Sequence, residues 1–440
     1  MAFCGVSEIM KDKKRKSLGK VRASEEMTAA GDLHRNHGTG HKRRFGEQWT
    51  IFRVPAHIRE VDKKAYNPRV VSIGPFHQSR PELRAMEAQK LRMYERLMKQ
   101  IGDEGRDVGL ETAIKQLEGR ARRSYSEEFD HISSEEFTQM MVLDGCFIVE
   151  LMRLYHESNQ HGQHVEEPIF ATRWMLPNIT RDLLMLENQL PFFVLQEIYK
   201  LTTFDEEAIP LNKLALLFLE PLRPQKGEYT EIRWHDQGKH HHLLALYHSS
   251  FVPSDYHPSQ RFRDARWNRH ENFPGKFWLA EVRILRRSGI TFKSNPGNLL
   301  NIEFENRELR IPTLFVDDST GPLLRNLLAY EQCNAFAAPY FTCYAIFLNS
   351  IIDVPEDIEI LQEAGIIVQS EAVDEEVVNL VNSLTKELVF DLDDRNDCYI
   401  ARQIEDINAF CRSWKSKCIY QLSCIDFVRL GLSFLFPWLK

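Results

Sequence analysis

The chain is 440 residues long, 43% apolar and 11% aromatic, enough for a large buried core; at about 150 residues per domain it would allow about three lobes. Its formal charge is −7, which disfavours nucleic-acid binding by the surface as a whole. The sign is uneven, because residues 1–48 hold 11 Lys/Arg against 6 Asp/Glu and leave 45 against 57, a net −12, to the rest.

Residues 1–48 are rich in Lys, Arg, Ser, Gly and His and read as a disordered basic tail, with KDKKRK a solvated flexible run. The stretch MAFCGVSEIMKDKKRK has no apolar run of signal-peptide length, so a cleaved secretory signal is not expected. Order begins near WTIFRVPAHIREVD. The stretch RVVSIGPFHQSRPELRAMEAQKLRMY (69–94) reads as an extended segment, a turn pinned by Gly74 and Pro75, and an amphipathic helix starting near Pro81. Leu83, Met86, Lys90, Met93 and Leu97 share its stripe, and His77 is expected to cap or bridge the corner to a neighbouring helix.

The next helix, SSEEFTQMMVLDGCFIVELMRLY, takes Ser134 as its N-cap and carries Phe137, Met140, Phe147, Leu151 and Leu154 on one face, with Asp144 among them. TRDLLMLENQLPFFVLQEIYK is apolar nearly all round, a core helix kinked or restarted at Pro191. Residues 201–275 form a polar, loop-rich insert with short helices at NKLALLFLEP and HHLLALYHSSF. LLNIEFENRELRIPTLFV alternates on both sides of ENRE, a β-hairpin in which Ile302, Phe304, Leu309 and Ile311 share a face. Helices resume in PLLRNLLAYEQC, YFTCYAIFLNSIID and DEEVVNLVNSLTKELVF. In the terminal IYQLSCIDFVRLGLSFLFPWLK, Asp426 and Arg429 would each cost about 2.5–3.5 kcal/mol at a bilayer centre, so an interfacial or core-docked helix is the local reading. The fold class expected is mainly α: a large multi-helix domain over 49–420 with a small β-hairpin element near 299–316, then an apolar segment at 421–440.

Eight cysteines are scattered without a C-x-x-C and suit reduced core thiols. Asp144 in VLDGCF, Glu187 in LENQLPFF and Glu331 in LAYEQC place carboxylates in apolar helical runs. Two such groups set close together would suit a glycosidase or another acid/base enzyme. The structural alternative is that they, with Asn188, Gln189, Asn326 and Gln332, accept bonds from Arg181, Arg325 or loop amides and lock helices together. His34, His37, His41, His235 and His240 to His242 have no cysteine near them and read as incidental loop residues, so no metal or cofactor is expected. SIGPFH offers one glycine where phosphate loops need several, and no G-x-S-x-G, kinase set or H-E-x-x-H is present. NIT at 178–180 matches a glycosylation acceptor, but Thr180 is better read as the N-cap of a helix from Arg181.

In order, VSIGPFH with MEAQKLRMY, VLDGCFIVEL, DLLMLENQLPFFVL, LRIPTLFVDDST, LLRNLLAYEQC and FLNSIIDVPEDIEIL resemble the plant-specific domain of unknown function 247, also called uncharacterised protein family 0481. The match spans roughly 49–440. Gly74, Pro75, His77, Asp144, Gly145, Glu187, Asn188, Gln189, Pro191, Glu331 and Gln332 match as family signatures with no catalytic role attached. The resemblance implies a large, mostly helical plant domain without established catalysis, usually followed by one spanning helix, with some grass relatives implicated in self-incompatibility. Here SFLFPWLK reaches the Pro-Trp that precedes that helix and the chain stops, so the anchor is expected to be truncated. The function expected is a non-enzymatic recognition or signalling module for an unknown protein partner. It would sit at a membrane, the plasma membrane, by resemblance, or be cytoplasmic or peripheral without the anchor; the alternative is a hydrolase-like enzyme using Asp144, Glu187 or Glu331.

Overall fold

A computed structural model describes residues 49–103, 109–161, 167–205, 208–225, 240–251, 279–370, 372–390 and 398–413. The expected tail at 1–48, its KDKKRK run, His235 and the apolar segment 421–440 lie outside the described residues.

The chain enters as an extended segment, and Pro55 at an extended φ/ψ starts helix α1 (Ala56–Val61). Asp62 then caps a 3₁₀ turn (Lys63–Tyr66) by accepting the Lys64 N–H at 3.1 Å. A buried extended run follows to Gly74, whose φ of +69° turns the chain. A second 3₁₀ turn (Pro81–Met86) leads into α2 (Glu87–Asp103), and Leu83, Met86, Lys90, Met93 and Leu97 are all buried as the stripe predicts.

Helix α3 (Leu110–Arg123) packs beside α4 (Ser134–His161), the central helix, which also meets α2. Ser133, one residue before the expected cap, closes the α4 start: its Oγ accepts the Glu136 N–H at 3.2 Å and its own N–H donates to Glu136 Oε2 at 3.0 Å. Short helices α5 (Pro168–Ala171) and α6 (Met175–Asp182) precede α7 (Phe192–Thr202). The core helix expected across 180–200 is therefore split. Residues 183–191 are a buried turn, because side chains supply the bonds a helix would: Gln189 Nε2 donates to the carbonyls of Leu183 and Met185, and Asn188 Nδ2 to that of Asp182. Thr180 lies inside α6 and donates to Leu176 O at 3.0 Å, so it is no N-cap.

Within 201–275 the two expected helices are present as α8 (Leu211–Leu219) and α9 (Leu243–Ser249), both rich in buried residues. After α10 (Val282–Arg287) come β1 (Thr291–Asn295), β2 (Glu303–Glu305) and β3 (Glu308–Pro312) in the order β1-β3-β2. The β2–β3 hairpin is as expected, with Phe304 opposite Leu309, and it turns on Asn306 and Arg307 at φ +51° and +69°. The parallel partner β1 and the parallel pair β4 (Leu314–Val316) with β5 (Ile367–Gln369) were not legible, being short and without clear alternation. The remaining helices are α11 (Thr320–Cys333), α12 (Tyr340–Ile351), α13 (Pro355–Glu363), α14 (Asp374–Leu384) and α15 (Ala401–Arg412). The fold is mainly α, and one hydrophobic cluster runs from Ile51 to Ile407. The described residues, from 49 to 413, thus fall in one compact unit where the length alone would have allowed three lobes.

Candidate functional site

A buried polar constellation lies where the segment 53–77 meets α4 and the stretch 182–189. A carboxylate on α4 faces the turn glycine: Asp144, 2% exposed, accepts the Gly74 N–H at 2.8 Å and pairs with Lys90 Nζ at 2.6 Å. Lys90 Nζ also donates to Ser72 O and meets Glu87 Oε1, each at 2.6 Å. Burial opposes the lysine charge, but Asp144 and Glu87 more than offset it and hold its pKa above the ordinary value. Burial pushes Asp144 up, while Lys90 and the Gly74 amide pull against it. Gly74 has no room for a side chain, since a Cβ there would lie 2.8 Å from Gln189 O and 3.0 Å from Tyr125 Oη. Gly145 lets α7 approach α4, a Cβ there meeting Ile198 Cδ1 at 2.3 Å.

The turn 182–189 grips the same segment from the other side. Asp182 accepts the amides of Arg69, Val70 and Val71, the closest at 2.7 Å, and pairs with Arg181 at 3.0 Å. Glu187, 1% exposed, accepts the Val54 N–H at 2.6 Å and meets Arg59 and, at 3.3 Å, Arg53. Asn188 Oδ1 accepts the Ile73 N–H at 2.7 Å while its Nδ2 donates to Val71 O. Gln189 Oε1 accepts the Leu244 N–H, and Pro191 opens α7.

Pro75 is buried in this corner beside His77, which is 1% exposed. His77 Nε2 lies 3.4 Å from Glu187 Oε2, which sits in the 183–191 turn and not on a neighbouring helix as expected, and neither ring nitrogen has a hydrogen-bond partner. Glu187 at that distance would favour the imidazolium. Burial, with Arg80, Arg53 and Arg59 alongside, dominates and lowers the pKa to about 3, so the ring is neutral.

Glu331 serves a different place, the start of α12: it accepts the Phe341 and Thr342 amides at 2.8 and 2.7 Å, the Thr342 hydroxyl at 2.7 Å, and meets His248 Nε2 at 2.7 Å. Gln332 Oε1 accepts the Val389 N–H. The acids do take backbone amides as one reading expected, but not the arginines named for it. Arg181 pairs with Asp182, and Arg325 holds Asp62 and Ser383. His242 is no incidental loop residue: it is buried, its Nδ1 accepts the Ala245 N–H at the head of α9, its Nε2 meets Thr50 O, and burial lowers its pKa to about 3.

Sequence reasoning missed Asp182, His248, Arg53 and Arg59, and read Lys90 as one more stripe position. A lysine on an apolar stripe was the available signal. Among the described residues no group of three or more His, Cys, Asp or Glu is placed to hold a metal ion. Chemically, the arrangement pins an irregular segment to a helical core by anchoring its amides on buried carboxylates.

The family model described as plant protein of unknown function matches residues 51–427. A UPF0481 protein of Arabidopsis thaliana is 29% identical over 387 residues, covering 84% of this chain and 78% of its own. A second from the same plant is 23% identical over 453 residues, covering 84% and 83%. No solved structure matches. The staples found here fall within the matched span, and the chain belongs to this plant family, DUF247.

Proposed function

We propose that the protein is a non-enzymatic interaction module of a plant recognition or signalling system, built on a helical core that holds its loops rigidly. The observation that supports this reading is the commitment of the three candidate acids. Asp144, Glu187 and Glu331 are each buried and each engaged by backbone amides and a cationic or imidazole side chain. A general acid or base must reach a substrate proton, and these oxygens are already occupied. The alternative, a hydrolase-like enzyme using those acids, would require one of them to leave its partners. Membrane association and a part in self-incompatibility follow from the resemblance alone. No helix among the described residues is long and apolar enough to cross a membrane.

The test is single replacement of the acids: Asp144→Asn, Glu187→Gln and Glu331→Gln, each assayed by melting temperature and by turnover of chromogenic glycosides and esters. A lowered melting temperature without turnover in the parent is the expected result. Turnover in the parent that vanishes in a variant of unchanged stability would replace this reading with the hydrolase one.

A further inference from the structure

Residues 49–440 carry a net charge of −12, yet one face around the start of α6 is basic and aromatic. Trp174, immediately before α6, is 54% exposed. Its carbonyl accepts from Asn178 Nδ2 at 2.7 Å, and Asn178 Oδ1 accepts from Arg69 Nη1 at 3.4 Å, which ties Arg69 to the tryptophan. Arg173 adjoins it in sequence. Three residues beyond Asn178, Arg181 donates to Lys64 O at 3.1 Å, which sets the backbone of Lys64 beside α6. Arg69 in turn is near enough to Arg181 to disfavour its charge.

Three acids near these residues in sequence are already engaged. Asp182 is buried on Arg181 and three amides, Glu60 pairs with Lys63 at 2.9 Å, and Asp62 with Arg325 at 3.3 Å. Lys64, Arg69 and Arg173 are exposed, and among the described residues none of the three is ion-paired. Three unmatched cations beside an exposed indole make a site for a short anionic ligand with an apolar or aromatic side chain.

We propose that this face, Lys64, Arg69, Arg173 and Trp174, docks an acidic peptide segment of a protein partner; the proposal rests on the interaction-module reading and names its partner chemistry. The net charge favours a peptide over an extended anionic surface. Screening at physiological salt acts over about 8 Å, so a peptide feels the local cations, whereas a bilayer or nucleic acid would also face the acidic remainder. The two guanidiniums can grip carboxylates through paired N–H bonds, and the indole offers a flat apolar contact.

The probe is a labelled synthetic peptide alternating Asp and Glu with Phe and Leu, compared with a polyglutamate of equal charge and with phosphatidylcholine vesicles carrying phosphatidylserine. The parent protein should bind the mixed peptide more tightly than polyglutamate. Arg69→Glu with Arg173→Glu should weaken that binding about tenfold, and added salt should weaken it further. Trp174→Ala should remove the preference over polyglutamate. These side chains are exposed, so circular dichroism and melting should match the parent, and Arg69→Gln with Arg173→Gln serves if they do not. Absent peptide binding, binding indifferent to the substitutions, or a loss confined to vesicle retention would overturn the proposal. None of those outcomes touches the acid-replacement test, so failure here is distinguishable from failure of the interaction-module reading.

Discussion

Lys90 exchanges its partners when the chain folds, leaving water for a site with Asp144, Glu87 and the Ser72 carbonyl. Removing one member of a buried pair leaves an uncompensated charge, at a cost of about 3–5 kcal/mol. Lys90→Met should lower the unfolding free energy measured in urea by that order, and Asp144→Asn by less, because Glu87 and Ser72 O still hold the ammonium. Equal losses from the two would count against this hierarchy. The inward direction of Asp144 was legible because helical spacing is a local property. Its partner Gly74 was not, lying 70 residues away in sequence. His77 and His242 give the molecule an acid sensitivity whose sign is fixed by burial. Each folded pKa is lowered from 6.5 to about 3, so between those values the unfolded chain binds more protons. Their contribution is complete above pH 6.5 and lost as pH falls toward 3. Stability measured by denaturant at stepwise lower pH should decline across that window. His77→Leu should flatten the decline, since no hydrogen bond to the ring is given up.

Among the elements, the 183–191 turn and the β2–β3 hairpin show what pattern can and cannot reveal. The hairpin was legible because alternation around a polar pair is itself the structure. The turn looked helical because its apolar residues are buried on every side, whatever the backbone does; what breaks the helix is side-chain bonding by Asn188 and Gln189, which hydropathy does not register. The hairpin carries a correctable strain. Arg307 sits at φ +69°, a left-handed conformation that costs a residue with a Cβ about 1–2 kcal/mol and glycine little. Its carbonyl, which accepts the Thr291 N–H at 2.9 Å, is kept by any residue. Arg307→Gly, giving the Asn-Gly pair favoured in two-residue hairpins, should raise the melting temperature. A fall would mean that the arginine side chain contributes more than the backbone strain removes.

For the whole molecule, the irregular segment 53–77 and the helical core stand or fall together, because the staples from Asp182, Glu187 and Asn188 join residues more than 100 apart in sequence. Asp182 accepts three successive amides of that segment, and Asn188 both accepts from it and donates to it, at 2.7 and 3.0 Å. The segment's own apolar residues, Val54, Ile58, Val71 and Ile73 among them, belong to the same hydrophobic cluster as Leu327 and Ile351. Loosening the staples therefore withdraws apolar area from the core and not merely from a loop. Asn188→Ala leaves the Ile73 amide and the Val71 carbonyl buried without partners, at about 1–3 kcal/mol each. If the two regions are one cooperative unit, that loss should move a single transition to lower denaturant, with far-ultraviolet and near-ultraviolet circular dichroism still coincident. If the segment is only an appendage, the near-ultraviolet signal, to which its Tyr66 contributes, should change first and the helical signal later. Separation of the two curves would therefore refute the single-unit account.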